Sequence, residues 1–214
     1  MAATVRYYRY MAEVRCTGVV LAGGRSSRLG RDKALLELHG ETLLARVVRL
    51  LSSVVDDIIV LGPPDRAVHA PGARVIPDER PGDGPLPALA TALREMYGER
   101  MIAVATDMPL LNPALLRHVL DRSAGFDVAV PRVGGRTQQL HGAYGRGCIP
   151  VIEAQLQRDD LKVDRFFGAV RTLVIEEDEI ASIDPHFLSF RNINTESDWI
   201  EVQRIAAGPA EVER

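Results

Sequence analysis

The stretch Thr17-Gly-Val-Val-Leu-Ala-Gly-Gly-Arg-Ser-Ser-Arg-Leu-Gly-Arg-Asp-Lys33 decides how this chain is read. Thr17–Ala22 is short, apolar and β-branched and stops at paired glycines, which is the pattern of a strand buried on both faces. A loop leaving the carboxyl end of such a strand is where α/β sheets place ligands. Gly23 and Gly24 carry no Cβ, so their N–H groups can come close to a phosphate. Arg25, Arg28, Arg31 and Lys33 then crowd positive charge into the same loop. An unliganded surface gains little from that crowding, whereas a triphosphate gains much.

Spacing removes two common alternatives. A P-loop needs Gly-Lys followed by Ser or Thr, and Gly30 is followed by Arg-Asp-Lys-Ala instead. A dinucleotide fingerprint needs GxGxxG, which Gly23-Gly24 does not supply.

Outward from the loop, strand-like and helix-like segments alternate. Leu43, Leu44, Val47, Val48, Leu51 and Val54 recur at helical spacing. Asp57–Gly62, Ala73–Pro77, Met101–Thr106 and Phe126–Pro131 read as strands, and Leu86, Leu89, Ala90, Leu93 and Tyr97 mark a helix face. Asn112-Pro113 is a good helix start, because Asn caps and Pro occupies the first turn, where a missing N–H costs nothing. The series predicts a Rossmann-like α/β fold with a doubly wound, mostly parallel sheet and helices on both faces. Beyond residue 131 the pattern is less regular. It contains a helix over about Ile149–Arg158, a strand Thr172–Ile175 and a last helix opening at Thr195-Glu-Ser-Asp198, a capping-box pattern.

Composition agrees with an ordinary globular chain. The 214 residues carry a formal charge of -3, which gives no broad attraction to nucleic acid or anionic membrane. Cys16 and Cys148 lie far apart and outside any CxxC spacing, so they read as buried free thiols rather than zinc ligands. No apolar run reaches the roughly 18 residues of a membrane span, and the N-terminal residues lack a signal-peptide core, so the expected location is the cytoplasm. Residues 1–10 read as a disordered extension ahead of Met11, residues 11–207 as one domain and residues 208–214 as a flexible tail.

The segment LAGGRSSRLGRDKALLELHG resembles the signature of molybdenum cofactor guanylyltransferases. Asp83-Gly-Pro-Leu86, Thr106-Asp-Met-Pro-Leu110 and Phe190-Arg-Asn-Ile-Asn-Thr195 agree with it, so the likeness runs from about Thr17 to Trp199. The resemblance implies GMP transfer from magnesium-bound GTP to the phosphate of a molybdopterin-type acceptor, with molybdoenzymes or cofactor-delivery proteins as further partners. It implies that Leu21, Ala22, Gly23, Gly24 and Lys33 hold the triphosphate, that Arg28 and Lys33 stabilise charge, and that Asp107 holds magnesium. Asn192 and Asn194 match the family's asparagines beside the acceptor, and His141 falls in a related segment near it. The family commonly continues Gly-Pro-Leu with Ala-Gly, where this chain has Pro87-Ala88, and Leu61 stands where a relative carries Asn. Both departures fall near the base and bear on its identity rather than on the reaction.

The residues support this reading independently at several points. Asp107 follows an apolar strand and would project into the crevice, where a hard carboxylate suits magnesium. Asp78 follows the third strand and could accept hydrogen bonds from a guanine edge, with Gly84 letting backbone close over base or ribose. Arg136, Lys162 and Arg165 are candidates for the acceptor's phosphate. Cytidylyl transfer, transfer to a sugar 1-phosphate and a non-catalytic nucleotide- or cofactor-binding role are the alternatives.

Overall fold

The computed structural model describes residues 16–23 and 30–208. The expectations for residues 1–10, Met11, Gly24, Arg25 and Arg28 lie outside the described residues, as does all of the expected tail except Gly208. Ten strands are described: β1 (Cys16–Leu21), β2 (Glu37–Leu38), β3 (Glu41–Thr42), β4 (Asp57–Leu61), β5 (Arg74–Ile76), β6 (Arg100–Ala105), β7 (Val128–Val133), β8 (Arg136–Thr137), β9 (His141–Gly145) and β10 (Thr172–Ile175). The described α-helices are α1 (Leu43–Ser52), α2 (Pro85–Glu95), α3 (Pro113–Arg122), α4 (Ile149–Leu156), α5 (Glu177–Ala181) and α6 (Glu196–Ala206).

The main sheet has the order β10-β7-β9-β6-β1-β4-β5, with β8 paired to β7, while β2 and β3 form a separate hairpin. β1 runs parallel to both β4 and β6, and β5 parallel to β4. The chain thus winds outward on one side of β1 and then crosses to the other, which opens a crevice at the carboxyl ends of β1 and β6. The expected doubly wound, mostly parallel sheet is present, with one feature the sequence did not announce. β9 runs antiparallel between β6 and β7. Its run His-Gly-Ala-Tyr-Gly has two glycines and no β-branched residue, so it carries little strand signal.

Helices cover both faces. α1 and α3 pack Leu44, Val47, Leu51, Leu115 and Val119 against Val20, Ile102 and Val104. α2 and α4 pack Leu86, Leu89, Leu93 and Ile152 against Val19, Ile59, Met101 and Ala103 on the opposite face. Alternate residues of β1 and β6 point to the two cores, as strand geometry requires. Each large apolar side chain buried this way contributes roughly 1.5–3 kcal/mol. A third, smaller cluster joins Leu36 and Leu38 of the hairpin region to Ile193, Trp199 and Val202. It docks α6 beside the end of the glycine loop.

Several expected bounds shorten or shift by a residue or two. The strand expected at Ala73–Pro77 is Arg74–Ile76, the one expected at Phe126–Pro131 is Val128–Val133, and α2 stops at Glu95. Tyr97, assigned to the helix face, instead puts its ring 3.9 Å under the Arg74 guanidinium. Asn112 caps α3 through its side chain, and Thr195 and Asp198 form a reciprocal capping box on α6, both as expected. Among the described residues no helix is long and apolar enough to cross a membrane.

Gly18 shows how tightly α1 sits on β1. A Cβ placed there would lie 2.5 Å from the Leu51 Cδ2 atom and 3.0 Å from Val55 Cγ2. Gly18→Val must therefore push α1 outward, at a cost of about 1–3 kcal/mol or more. Thermal unfolding should show a melting temperature lower by roughly 2–4 °C per kcal/mol. An unchanged melting point would mean that α1 does not rest on β1 as described.

Candidate active site

The crevice between β1 and β6 holds a cleft of about 640 Å³. Its floor is fixed by backbone pairing that continues past the strands. Ala22 N–H donates to the Leu61 carbonyl at 2.8 Å, and both the N–H and the hydroxyl of Thr106 donate to the Leu21 carbonyl, at 3.2 and 2.9 Å. Asp107 is thereby delivered to the carboxyl edge one residue beyond this anchor.

Lys33, Asp107 and Asn194 meet there. The Lys33 ammonium donates to Asp107 Oδ2 at 3.1 Å and to Asn194 Oδ1 at 2.9 Å. Both charged side chains are largely sheltered, at 19% and 24% exposure, yet still open to the cleft. Each comes from a different element. Lys33 opens a short 3-10 turn, Lys33–Leu35, which Asp32 caps by accepting from Ala34 N–H at 3.1 Å. Asp107 follows β6. Asn194 comes from the segment before α6, which is latched by Ile193 N–H donating to the Asp107 carbonyl at 2.9 Å. Asp198 holds the same segment, accepting from the N–H groups of Asn194 and Thr195 at 2.9 and 2.8 Å. These bonds, led by that from Asn194, hold the Asp198 carboxyl below its ordinary value of 3.8.

Leu21, Ala22, Gly23, Asp78, Gly84 and Asn192 line the same cleft. Gly23 lies close to Asp78: a Cβ built on it would stand 3.3 Å from Asp78 Oδ2, a tight contact at which Asp78 would have to yield by a few tenths of an ångström. Asp78 is held by Arg80 N–H on its other oxygen at 3.0 Å. Gly84 caps α2 at φ 83°, in the region that favours glycine. It begins the helix directly at the cleft wall.

His141 is not brought to the cleft. It is fully buried, its ring 4.6 Å from that of Phe190, and burial pushes its pKa down to about 3. Ser189 Oγ accepts from Asn112 N–H at 2.8 Å and meets His141 Nε2 at 3.0 Å. The acceptor contact expected of His141 is therefore corrected to a structural one: a neutral imidazole that joins β9 to the turn before Asn192. Of the expected phosphate candidates, Lys162 and Arg165 bracket Asp160 on the surface. Arg136 lines a separate cleft.

The sequence did not single out Asp32 or Arg66. Arg66 is buried at 7% exposure and donates to Asp32 Oδ2 at 2.5 Å, so it braces the turn that carries Lys33. Asp32 stands beside Lys33 in the loop and could have been suspected. Arg66 sits in a polar Pro-Pro-Asp-Arg stretch that reads as surface, and nothing in the sequence marks its burial.

Gly23, a lysine and a carboxylate gathered at the switch point of a mostly parallel sheet fit a nucleotide-binding α/β enzyme. Comparison with known proteins narrows this. The model of the MobA-like NTP transferase domain matches residues 18–172. A "probable molybdenum cofactor guanylyltransferase" of Pelotomaculum thermopropionicum is 38% identical over 193 residues, covering 90% of this chain and 94% of that protein. One of the same name from Methanosarcina mazei is 33% identical, with 85% and 87% covered. Among solved structures, molybdopterin-guanine dinucleotide biosynthesis protein A from Archaeoglobus fulgidus superposes with a TM-score of 0.78 at 22% identity, over 90% of this chain and all of that one. The chain belongs to the MobA-like NTP transferase family and is a nucleotidyltransferase.

Asp198→Ala should release Asn194 from its place beside Lys33. Loss of the cap costs about 1 kcal/mol, or a few degrees in melting temperature. The carboxyl's folded pKa is depressed, so its contribution is complete above the unfolded value and fades as pH falls through the folded one. Melting curves should therefore differ between wild type and variant at neutral pH and converge well below pH 4. Parallel curves throughout would show that the carboxylate carries no such role.

Proposed function

We propose that the protein transfers GMP from magnesium-bound GTP to the phosphate of molybdenum-loaded molybdopterin, releasing pyrophosphate and forming the guanine dinucleotide cofactor. The observation that carries this reading is the meeting of Lys33, Asp107 and Asn194 in one cleft. They come from the three sequence segments expected to hold triphosphate, metal and acceptor. The names of the relatives support the choice of base and acceptor.

An acceptor phosphate oxygen attacks the α-phosphorus in line, a new P–O bond forms, and the bond to the β-phosphate oxygen breaks with its electron pair leaving on pyrophosphate. The acceptor phosphate is already ionised at neutral pH, so no general base is required. The difficulty is repulsion between two anions, and catalysis is mostly alignment and charge neutralisation. Lys33 supplies a positive charge at the cleft floor, held ready by Asp107 and Asn194. When triphosphate enters, its oxygens compete for the ammonium, and Lys33 follows the charge that builds on the leaving group. Gly23 adds a backbone donor, Asp78 accepts from the guanine edge, and Asn192 and Asn194 flank the acceptor.

The donor set fits magnesium. Asp107 offers one hard carboxylate in a cleft with room for phosphate and water, and magnesium is commonly held by one or two carboxylates with the substrate's own phosphates. Among the described residues no group of three or more His, Cys, Asp or Glu converges, so an ion held here draws on the nucleotide for most of its ligands. Asp107 would hold the ion, which would supply positive charge against the phosphates.

Asp107→Asn separates this role from a turn or capping role, which Asn fills about as well as Asp. Turnover should fall on the order of 10²–10³-fold, the cost of one preorganised electrostatic group. The magnesium concentration for half-maximal rate should rise, and the melting temperature should stay close to wild type. Unchanged rate and magnesium dependence would remove Asp107 from the mechanism.

A further inference from the structure

The hairpin of β7 and β8 forms one wall of a second cleft of about 650 Å³, lined by Arg132, Gly135, Arg136, Thr137, Gln139 and Asp164. Gln139 also lines the first cleft, so the two are neighbours. Topology puts them on one edge of the sheet. β9 is antiparallel to both β6 and β7, so β7 runs parallel to β6. The carboxyl end of β7 therefore lies on the same side as Leu21 and Asp107.

The walls of this cleft are tied down. Arg132 donates to Glu176 at 3.0 Å, and the Gly134 N–H donates to Glu177. Gln138 N–H donates to the Pro131 carbonyl at 2.8 Å. The hydroxyl of the buried Tyr144 donates to the Gln139 carbonyl at 2.6 Å, and the Gln139 amide donates to the Thr137 hydroxyl at 3.3 Å. Two lining groups stand apart from this network. No hydrogen bond or ion pair among the described residues engages the Arg136 guanidinium or the Asp164 carboxylate.

A frame that presents one donor fork and one carboxylate, neither engaged by another described residue, can serve a ligand that carries both hydrogen-bond donors and acceptors. A 2-aminopyrimidinone edge is such a ligand: its amino and ring N–H groups match a carboxylate, and its carbonyl matches a guanidinium. Each cleft has the size usual for one small molecule. The transferase must hold two, with the acceptor's phosphate at the nucleotide and its ring away from the reacting atoms.

We propose that the second cleft binds the heterocyclic end of the acceptor, a fused ring bearing a 2-aminopyrimidinone edge, with Asp164 accepting from its N–H groups and Arg136 donating to its carbonyl. The proposal rests on the acceptor assignment above and adds a place and a recognition chemistry. Gln139, shared by both clefts, marks where the acceptor passes from one to the other.

Equilibrium binding of molybdopterin and of GTP, together with turnover, tests this on wild type, Arg136→Ala, Asp164→Ala and the double variant. Both side chains are exposed, so folding should be retained and melting temperatures should agree closely. Each single change should weaken molybdopterin binding and raise its KM about tenfold, as expected for one lost hydrogen-bonding group. GTP affinity should stay within about twofold. Molybdopterin affinity unchanged in the double variant, an equal loss of GTP affinity, or no molybdopterin binding by wild type would each overturn the proposal. A wild type that binds molybdopterin, less well after these changes, yet forms no guanylylated product leaves this cleft standing and removes the guanylyl-transfer reading instead.

Discussion

The contact between the Lys33 ammonium and Asp107 Oδ2, 3.1 Å long, links two residues 74 positions apart, and much of the fold can be read as the means of keeping them together. Neither side chain could hold this place unaided. An ion pair still open to solvent on one side contributes little net stability, on the order of 1 kcal/mol, too little to organise a loop. The position is set instead by the backbone. β1 and β6 pair in register up to Leu21 and Ala105, and Thr106 extends the pairing by two bonds to the Leu21 carbonyl. The energy that fixes them comes from two apolar cores on opposite sheet faces, and the ion pair inherits the geometry. That division suits a site whose charges must be free to exchange partners when a polyanion arrives.

The third member of the cluster depends on the distant end of the chain. Asn194 reaches Lys33 because Ile193 and Trp199 bury themselves against Leu36 and Leu38, and because Ile193 N–H is spent on the Asp107 carbonyl. Packing of α6 thus couples the segment assigned to the acceptor to the loop assigned to the triphosphate. Arg66 does similar work from below. Buried and paired with Asp32, it fixes the turn from which Lys33 projects.

Much of this was legible from residue types in order. The apolar runs of β1, β4 and β6 gave parallel strands, because only strands covered on both faces are apolar throughout. Asn112-Pro113 and Thr195–Asp198 gave helix starts, because capping chemistry is local. Lys33, Asp107 and Asn194 were marked by motif and Asp78 by its place after the third strand; Lys33, Asp78 and Asp107 line one cleft, and Asn194 is hydrogen-bonded to Lys33. What escaped is non-local. β9 has too many glycines to announce a strand, and its pairing between β6 and β7 is set by partners 37 and 16 residues away, as at Val104–His141 and Val128–Tyr144. His141 was placed near the acceptor because it falls in a segment that resembles the family's. Its full burial between β9 and Ser189 is decided by packing that no local pattern encodes. Arg66 escaped for the same reason in reverse, a charged residue in a polar stretch that ends up covered.

The family membership and the cleft establish nucleotidyl transfer as the reaction class, and the proposed substrates rest on Asp78, the lysine–carboxylate cluster and the names of the relatives. Leu61 and Ala88 line the same cleft as Asp78. One measurement joins base, acceptor and chemistry. The protein is incubated with magnesium, molybdenum-loaded molybdopterin and an equimolar mixture of GTP, ATP and CTP, and the products are weighed by mass spectrometry. The account predicts that the acceptor gains the mass of GMP, with release of one pyrophosphate per adduct. An acceptor carrying CMP or AMP in equal or greater amount, or no adduct at all, would contradict it.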